Sequence, residues 1–259
     1  MIKAAFFDLD GTLISSKGTS TPAVQKALSQ LRKNGILVFA ATGRSPYEVS
    51  IMEMFAGLEF DAIVSLNGQY CYDRQRVIHS QLFDKDDLVR ITQHLQRAPF
   101  SCAFVEKDDL YINMVDDYVR TAMAEFHSQP PKIRDISDVV DRDILMLMVY
   151  LPKDLAEQRL LPLLKNSDIT RWNRYGIDVI PRGVSKRTGI EKILAEYDLD
   201  WDSVLAFGDG ENDLEMLEKA RYGVAMGNSV TELLTQDFYI TDHVDQDGVV
   251  SALKHFGLL

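Results

Sequence analysis

Lys3-Ala4-Ala5-Phe6-Phe7-Asp8-Leu9-Asp10-Gly11-Thr12-Leu13 is an apolar run that ends in two carboxylates two residues apart, followed by a glycine. The run Ala4 to Phe7 has the composition of a strand covered on both faces. Like charges a few ångströms apart raise one another's pKa, so a fold that needed only a turn here would use one aspartate. A second stretch has the same form: Ser203 to Phe207, then Gly208-Asp209-Gly210-Glu211-Asn212-Asp213. If both strands are parallel neighbours, their carboxyl ends meet where open α/β sheets bind ligands. That gathers Asp8, Asp10, Asp209 and Asp213 into one pocket. Four carboxylates together ask for a hard divalent cation with oxygen ligands, most simply Mg2+.

Outward from the first strand, strand and helix signals alternate. Thr21-Pro22 is an N-cap with proline in the first turn, and Gly35 stops that helix. Ile36 to Ala41 is an apolar strand, and Thr42-Gly43-Arg44-Ser45-Pro46 turns into the next helix. Asp61 to Leu66 is a strand closed by the turn signal Asn67-Gly68. Gln69 to Leu82 reads as a hairpin. Then the pattern changes. Helices over Asp86 to Gln96, Asp117 to His127 and Lys153 to Lys165 mix with short strands at Ser101 to Val105, Leu110 to Met114, Ile144 to Tyr150, Ile169 to Asn173 and Gly176 to Ile180. After Pro181 the alternation returns: helix Lys186 to Tyr197, strand Ser203 to Phe207, helix Asn212 to Ala220, strand Tyr222 to Ala225. Strand–helix–strand repeats imply a parallel sheet with right-handed crossovers. The expected fold class is α/β: a doubly wound, Rossmann-like core of residues 1–81 and 182–259, split by an inserted α+β domain of residues 82–181.

The 259 residues, 46% of them hydrophobic, suffice for one large domain or two moderate ones. A net charge of −11 and a pI of about 4.9 exclude a nucleic-acid binder that works through a broad basic surface. The same charge opposes anionic substrates at long range, which a bound cation reverses locally. Cys71 and Cys102 have no metal-type spacing and make no disulfide framework. No signal-peptide core follows Met1 and no apolar stretch is long enough to span a bilayer, so a cytoplasmic protein without a membrane partner is expected. His79, His94, His127, His243 and His255 show neither metal nor triad spacing. Met52, Met54, Met146 and Met148 fall at core spacing. Asp242, Asp245 and Asp247 read as a solvated loop rather than a cation site. Nothing in the sequence selects a dimer over a monomer.

Taken in order, these motifs resemble those of the haloacid dehalogenase superfamily of phosphatases. Asp8-Leu9-Asp10-Gly11-Thr12-Leu13 looks like the first motif and Thr42 like the second. Lys186, in Pro181-Arg182-Gly183-Val184-Ser185-Lys186, looks like the third, and Gly208 to Asp213 like the fourth. Ala41-Thr42-Gly43-Arg44, Asn67-Gly68, Val224-Ala225-Met226-Gly227-Asn228 and Asp247-Gly248-Val249 resemble the Cof-type group in particular. The resemblance covers nearly the whole chain. It implies hydrolysis of a small phosphorylated metabolite, such as a sugar phosphate or a phosphorylated cofactor, through an aspartyl-phosphate. Asp8 would be the nucleophile and Asp10 first the acid, then the base. Mg2+ would be held by the Asp8 carboxylate, the Asp10 carbonyl and Asp209, with Asp213 orienting its waters. The Leu9 N–H, the Thr42 hydroxyl, the Gly43 N–H, Lys186 and Asn212 would receive the phosphate oxygens, aided by the dipole of the helix beginning at Asn212. The insertion would be the α+β cap of that group, closing over the reaction and opening for product.

Two rival readings use the same residues. One is a phosphoryl transferase or mutase whose cap keeps water from the intermediate. The other is a phospho-accepting signalling module, which has no need of Asp10 as a proton carrier or of a long insertion. Arg44 is open between the phosphate, the cap and a surface carboxylate. Near the end of the insertion, Arg171, Trp172, Arg174 and Tyr175 are either a hairpin surface or, through Arg174, a clamp for a second anionic group.

Overall fold

A computed structural model describes residues 1–51, 57–125 and 128–259; Met52, Met54 and His127 lie outside the described residues. The chain runs β1 (Ala4–Phe7), α1 (Pro22–Lys33), β2 (Leu37–Ala41), α2 (Pro46–Ile51), β3 (Ala62–Ser65), β4 (Tyr70–Asp73) and β5 (Val77–Ser80). It continues with α3 (Lys85–Arg97), β6 (Cys102–Val105), β7 (Leu110–Ile112), α4 (Asp117–Glu125), β8 (Lys132–Ile133), β9 (Met146–Tyr150), α5 (Lys153–Arg159), β10 (Ser167–Arg171) and β11 (Gly176–Pro181). It ends with α6 (Lys186–Glu196), β12 (Val204–Gly208), α7 (Leu214–Lys219), β13 (Tyr222–Ala225), α8 (Thr231–Leu234), β14 (Tyr239–Ile240) and α9 (Gly248–His255). Two compact units result: Met1–Arg44, Glu48–Ser80 and Ser185–Leu259 form one, and Ser45–Tyr47 with Gln81–Val184 the other.

The first unit is an eight-stranded sheet of order β14-β13-β12-β1-β2-β3-β4-β5, parallel except for the β4–β5 hairpin, which runs antiparallel from β3. Side chains of successive strand residues alternate between faces. In β1, Ala5 and Phe7 pack with Leu28 and Leu31 of α1 and Ala252 and Leu253 of α9. Ala4 and Phe6 face the other way, onto Ile190 and Ile193 of α6 and Met216 and Leu217 of α7. That double coverage is why the central strands are wholly apolar: each buried Phe contributes about 3 kcal/mol from area alone. Phe6 stacks on Phe39 and Phe7 on Phe207, with centroids 4.6 and 4.8 Å apart. α1 begins as its sequence predicts, with the Thr21 hydroxyl accepting from the Val24 N–H and Pro22 in the first turn.

The second unit is a six-stranded sheet of order β10-β11-β9-β6-β7-β8, antiparallel except between β7 and β8. Phe104, Leu147 and Val179 pack on Leu88 and Ile91 of α3 and Ala156 of α5. Ala103 and Ile112, on the opposite face, pack on Val119 and Ala122 of α4. Among the described residues no helix is long and apolar enough to cross a membrane. Both cysteines are buried and free.

Several elements differ from their sequence reading. The helix expected over Lys153 to Lys165 stops at Arg159 and gives way to a short 3-10 turn, Leu161–Leu163, because Pro162 lacks an N–H and clashes with the preceding turn. β10 starts at Ser167, two residues before the reading. Buried Asp87 accepts the Lys165 and Asn166 N–H groups and the Ser167 hydroxyl and so sets where the strand begins. β8 and β14, two residues each, are too short to leave a periodic signal. The helix expected from Asn212 is a 3-10 turn, Glu211–Asp213, followed by the six-residue α7.

Candidate active site

β1 lies between β12 and β2, so the chain leaves β1 on one side and returns on the other, and the carboxyl ends of β1 and β12 flank the crevice. Phe7 pairs with Phe207 in register, and the Asp8 N–H donates to the Phe207 carbonyl at 3.0 Å. Beyond Asp8 the chain winds tightly: the Leu9 carbonyl accepts from the N–H groups of Thr12, Leu13 and Ile14. Gly11 has φ +83°, and a Cβ there would lie 2.2 Å from an Asp209 carboxylate oxygen. Glycine at this position is what lets the two acidic turns touch.

Lys186 stands between the turns, completely buried, at the start of α6, whose N-cap Ser185 makes a capping box with Thr188. Its ammonium donates to Asp8 Oδ1 at 2.5 Å and to Asp213 Oδ1 at 2.6 Å. The other oxygen of Asp213 accepts the N–H groups of Asp209 and Gly210, at 2.9 and 3.0 Å. Asp213 thus shapes the loop that presents Asp209 as well as anchoring the lysine. Asp209 accepts from the Thr12 hydroxyl at 3.0 Å and from Asn228 Nδ2 at 3.4 Å; the same Asn228 amide donates to the Gly11 carbonyl.

One carboxylate oxygen from each of Asp8, Asp209 and Asp213 lies within 4.8 Å of the others. Burial drives the Asp8 carboxyl well above the usual range; Lys186 opposes this, and Asp213, Asp209 and Asp10 add to it. Burial, then Asp213, pushes Asp209 up to about 7. Burial works against the charge of Lys186, but Asp213 and Asp8 more than offset it and raise its pKa. Three carboxylates around one ammonium are short of positive charge, and their oxygen donors fit a hard divalent cation.

Asp10 sits beside this cluster rather than in it. Arg44 Nε and Nη2 grip its two oxygens at 2.6 and 2.8 Å, a two-bond fork. Arg44 thus rests on a carboxylate of the site itself, that of Asp10, rather than on the surface carboxylate the sequence allowed. Arg44 also lies 3.7 Å from Glu48. Thr42, buried at the end of β2, donates its N–H to the Val64 carbonyl, while its hydroxyl accepts from the Arg44 N–H. Gly43 faces the Asn67 amide: a Cβ on it would stand 3.3 Å away. Asn212 donates through Nδ2 to Asn67 Oδ1 at 2.9 Å. Leu9 is fully buried between Asp8 and Asp10.

The site also engages Thr12, Arg44, Asn67 and Asn228, of which the sequence singled out only Arg44 by name as a possible contact. Thr12, Asn67 and Asn228 were visible as motif members without a role. The dipole expected at Asn212 does not have a long helix behind it, since Asn212 lies in the 3-10 turn before α7. Arg171 donates to the carbonyls of Leu151, Asn173 and Arg174 and so braces its own hairpin. Arg174 pairs with Glu125 and stacks on Tyr175.

Residues 5–253 match the family model of the haloacid dehalogenase-like hydrolases. The chain is 30% identical over 258 residues to YkrA of Bacillus subtilis, covering 99% of this chain and 98% of that one. It is 28% identical to a 5-amino-6-(5-phospho-D-ribitylamino)uracil phosphatase of the same organism, across 96% and 95% of the two chains. A solved sugar phosphatase of subclass IIB in that superfamily superposes with a TM-score of 0.88 at 27% identity, over 99% of this chain and 100% of that one. Fold, order of motifs and full-length likeness agree, and the chain belongs to the haloacid dehalogenase-like hydrolases, as an enzyme of their phosphatase class.

Proposed function

We propose that the protein hydrolyses a small phosphorylated metabolite, a sugar phosphate or a phosphorylated cofactor precursor, with Mg2+ as its divalent ion, in the cytoplasm. The observation that carries this reading is the convergence of Asp8, Lys186, Asp209 and Asp213 at the carboxyl ends of β1 and β12, where the order of winding reverses. The substrates named for the phosphoribitylaminouracil phosphatase and the sugar phosphatase support the substrate class.

Asp8 attacks phosphorus, forming an O–P bond as the bond to the leaving oxygen breaks. Asp10 gives that oxygen a proton, then takes one from the water that attacks phosphorus and releases Asp8. Lys186 holds the Asp8 carboxylate through Oδ1 and places a positive charge beside the transferring group. Arg44 fixes the direction of the Asp10 carboxyl. The Leu9 and Gly43 N–H groups, the Thr42 hydroxyl and the Asn212 amide receive the phosphate oxygens. Asp8, the Asp10 carbonyl and Asp209 would hold the cation, with Asp213 bracing that loop. When bound, it supplies the charge that lets a phosphate approach four carboxylates and polarises its oxygens. Residues 82–181 supply the α+β unit to which the resemblance gives the role of a cap.

Phosphate release from a panel of phosphorylated sugars and cofactors, with Mg2+ or with EDTA, tests the reading. Mg2+-dependent release is expected, lost in Asp8→Asn. No release from any compound, with fluoroberyllate still binding in a Mg2+-dependent way, would move the assignment to a transferase or a signalling module.

A further inference from the structure

The loop after β3 has a backbone that a plain turn does not require. Leu66, Asn67 and Gly68 have φ of 52°, 53° and 105°, three left-handed residues in succession. For a leucine this conformation costs about 1–2 kcal/mol. The segment is also buried, with Asn67 only 2% exposed.

Its contacts reach three separate motifs of the site. The Ser65 hydroxyl and the Leu66 N–H both donate to the Arg44 carbonyl, at 2.5 and 3.1 Å, and the Asn67 N–H donates to the Thr42 carbonyl at 3.0 Å. Gly68 lies against the start of α6: a Cβ on it would be 2.0 Å from the Ser185 carbonyl oxygen, one residue before Lys186. The Asn67 side chain faces Gly43 and accepts from Asn212 Nδ2.

The backbone alone does not call for asparagine. Glycine holds φ near +53° with less strain. What glycine cannot supply is the amide. Resting on the phosphatase reading above, we propose that Asn67 is a positioning residue for phosphoryl transfer. By accepting one Nδ2–H of Asn212, it fixes the plane of that amide and aims the second Nδ2–H at the phosphate. It also ties Asn212 to the Thr42–Gly43 turn, which supplies the other donors. A freely rotating Asn212 would have to be ordered at each binding event.

The test is a double-mutant cycle on p-nitrophenyl phosphate hydrolysis with Mg2+, run beside thermal melts. Asn67→Gly should melt no earlier than wild type, yet lose roughly tenfold in kcat/KM, mostly through KM. Inhibition by orthovanadate should weaken by a similar factor. Asn212→Ala should cost about the same in wild type, and little more in the Asn67→Gly background. Asn67→Asp keeps the shape and the acceptor, so in that background Asn212→Ala should cost what it does in wild type. This variant serves also if Asn67→Gly melts early. Active wild type with unchanged kinetics in Asn67→Gly, or losses that add across the cycle, would overturn the inference alone. Wild type that releases no phosphate from any compound would overturn the phosphatase reading and this inference with it.

Discussion

Asp8, Asp209 and Asp213 follow the central strands β1 and β12, and Asp242, Asp245 and Asp247 follow the edge strand β14. In composition the two acidic groups are alike. In surroundings they are opposites. The first three bring oxygens within 4.8 Å of one another, two of them on the Lys186 ammonium, and burial raises Asp8 and Asp209. The second three each accept from a separate neutral group. The Ser251 hydroxyl serves Asp242, the Ser16 N–H and hydroxyl serve Asp245, and the Thr21 hydroxyl serves Asp247. The hydrogen bonds from Ser16 hold the Asp245 carboxyl below its usual range. Among the described residues only the first set forms a metal-type group. A count of carboxylates therefore does not make a site. Their convergence on one another and on a buried ammonium does.

The sharpest way to break this contrast is Asp8→Asn, which should cut turnover by at least about 10⁴-fold and leave the fold intact. Turnover near the wild-type rate would end the assignment of Asp8. Next in size is Arg44→Lys, which exchanges a two-bond fork for a single point charge. Its kcat should fall by roughly 10–100-fold with little change in melting temperature, because the fork acts on Asp10 and not on the core. An unchanged kcat would mean that Arg44 only neutralises charge.

The pH dependence of stability separates the two groups by sign. An acid whose folded pKa is raised favours the fold at low pH, and that advantage disappears as pH rises through the folded value. For Asp209 the window runs from its ordinary 3.8 to about 7. Metal-free protein should lose about 2–4 kcal/mol of stability across it, after allowance for the part of Asp209 that meets solvent. Mg2+ should restore stability above the window and change little below it. Denaturant melts from pH 4 to 8, with EDTA or Mg2+, read this directly, and a metal-free stability that rose with pH would contradict the raised values. Asp245 has the opposite sign, supporting the fold above its ordinary pKa and losing that support as pH falls. The smallest effect belongs to Asp245→Asn, which should leave the melting temperature nearly unchanged and hydrolysis unaltered. A large loss of activity there would join the two groups functionally.

The sheet core was legible because its strands, β1, β2 and β12, are covered on both faces, which forces continuous apolar runs that stand out in a sequence. Asp8, Asp10, Asp209 and Asp213 were legible because paired carboxylates at strand ends are costly without a use. Arg44 on Asp10 and Asn212 on Asn67 were not. The first pair is separated by 34 residues and the second by 145, and nothing local in either segment depends on the partner. The bracing role of Arg171 escaped for a different reason: its acceptors are carbonyls, which every residue has. The early stop of the helix at Arg159, by contrast, was in the sequence, since Pro162 breaks it locally.

By itself the sequence determined the α/β class, the acidic turns after β1 and β12, the lysine at the head of α6 and the resemblance to phosphatases. The first three rest on local periodicity or on residue types within a single turn, and the resemblance on the order of such motifs along nearly the whole chain. Only the tertiary structure decided that Lys186 spans Asp8 and Asp213, that Arg44 grips Asp10, that Asn67 meets Asn212, and that Asp242, Asp245 and Asp247 are satisfied by neutral donors. These depend on strand order and burial, which set distances between residues far apart in the chain and the dielectric around each charge.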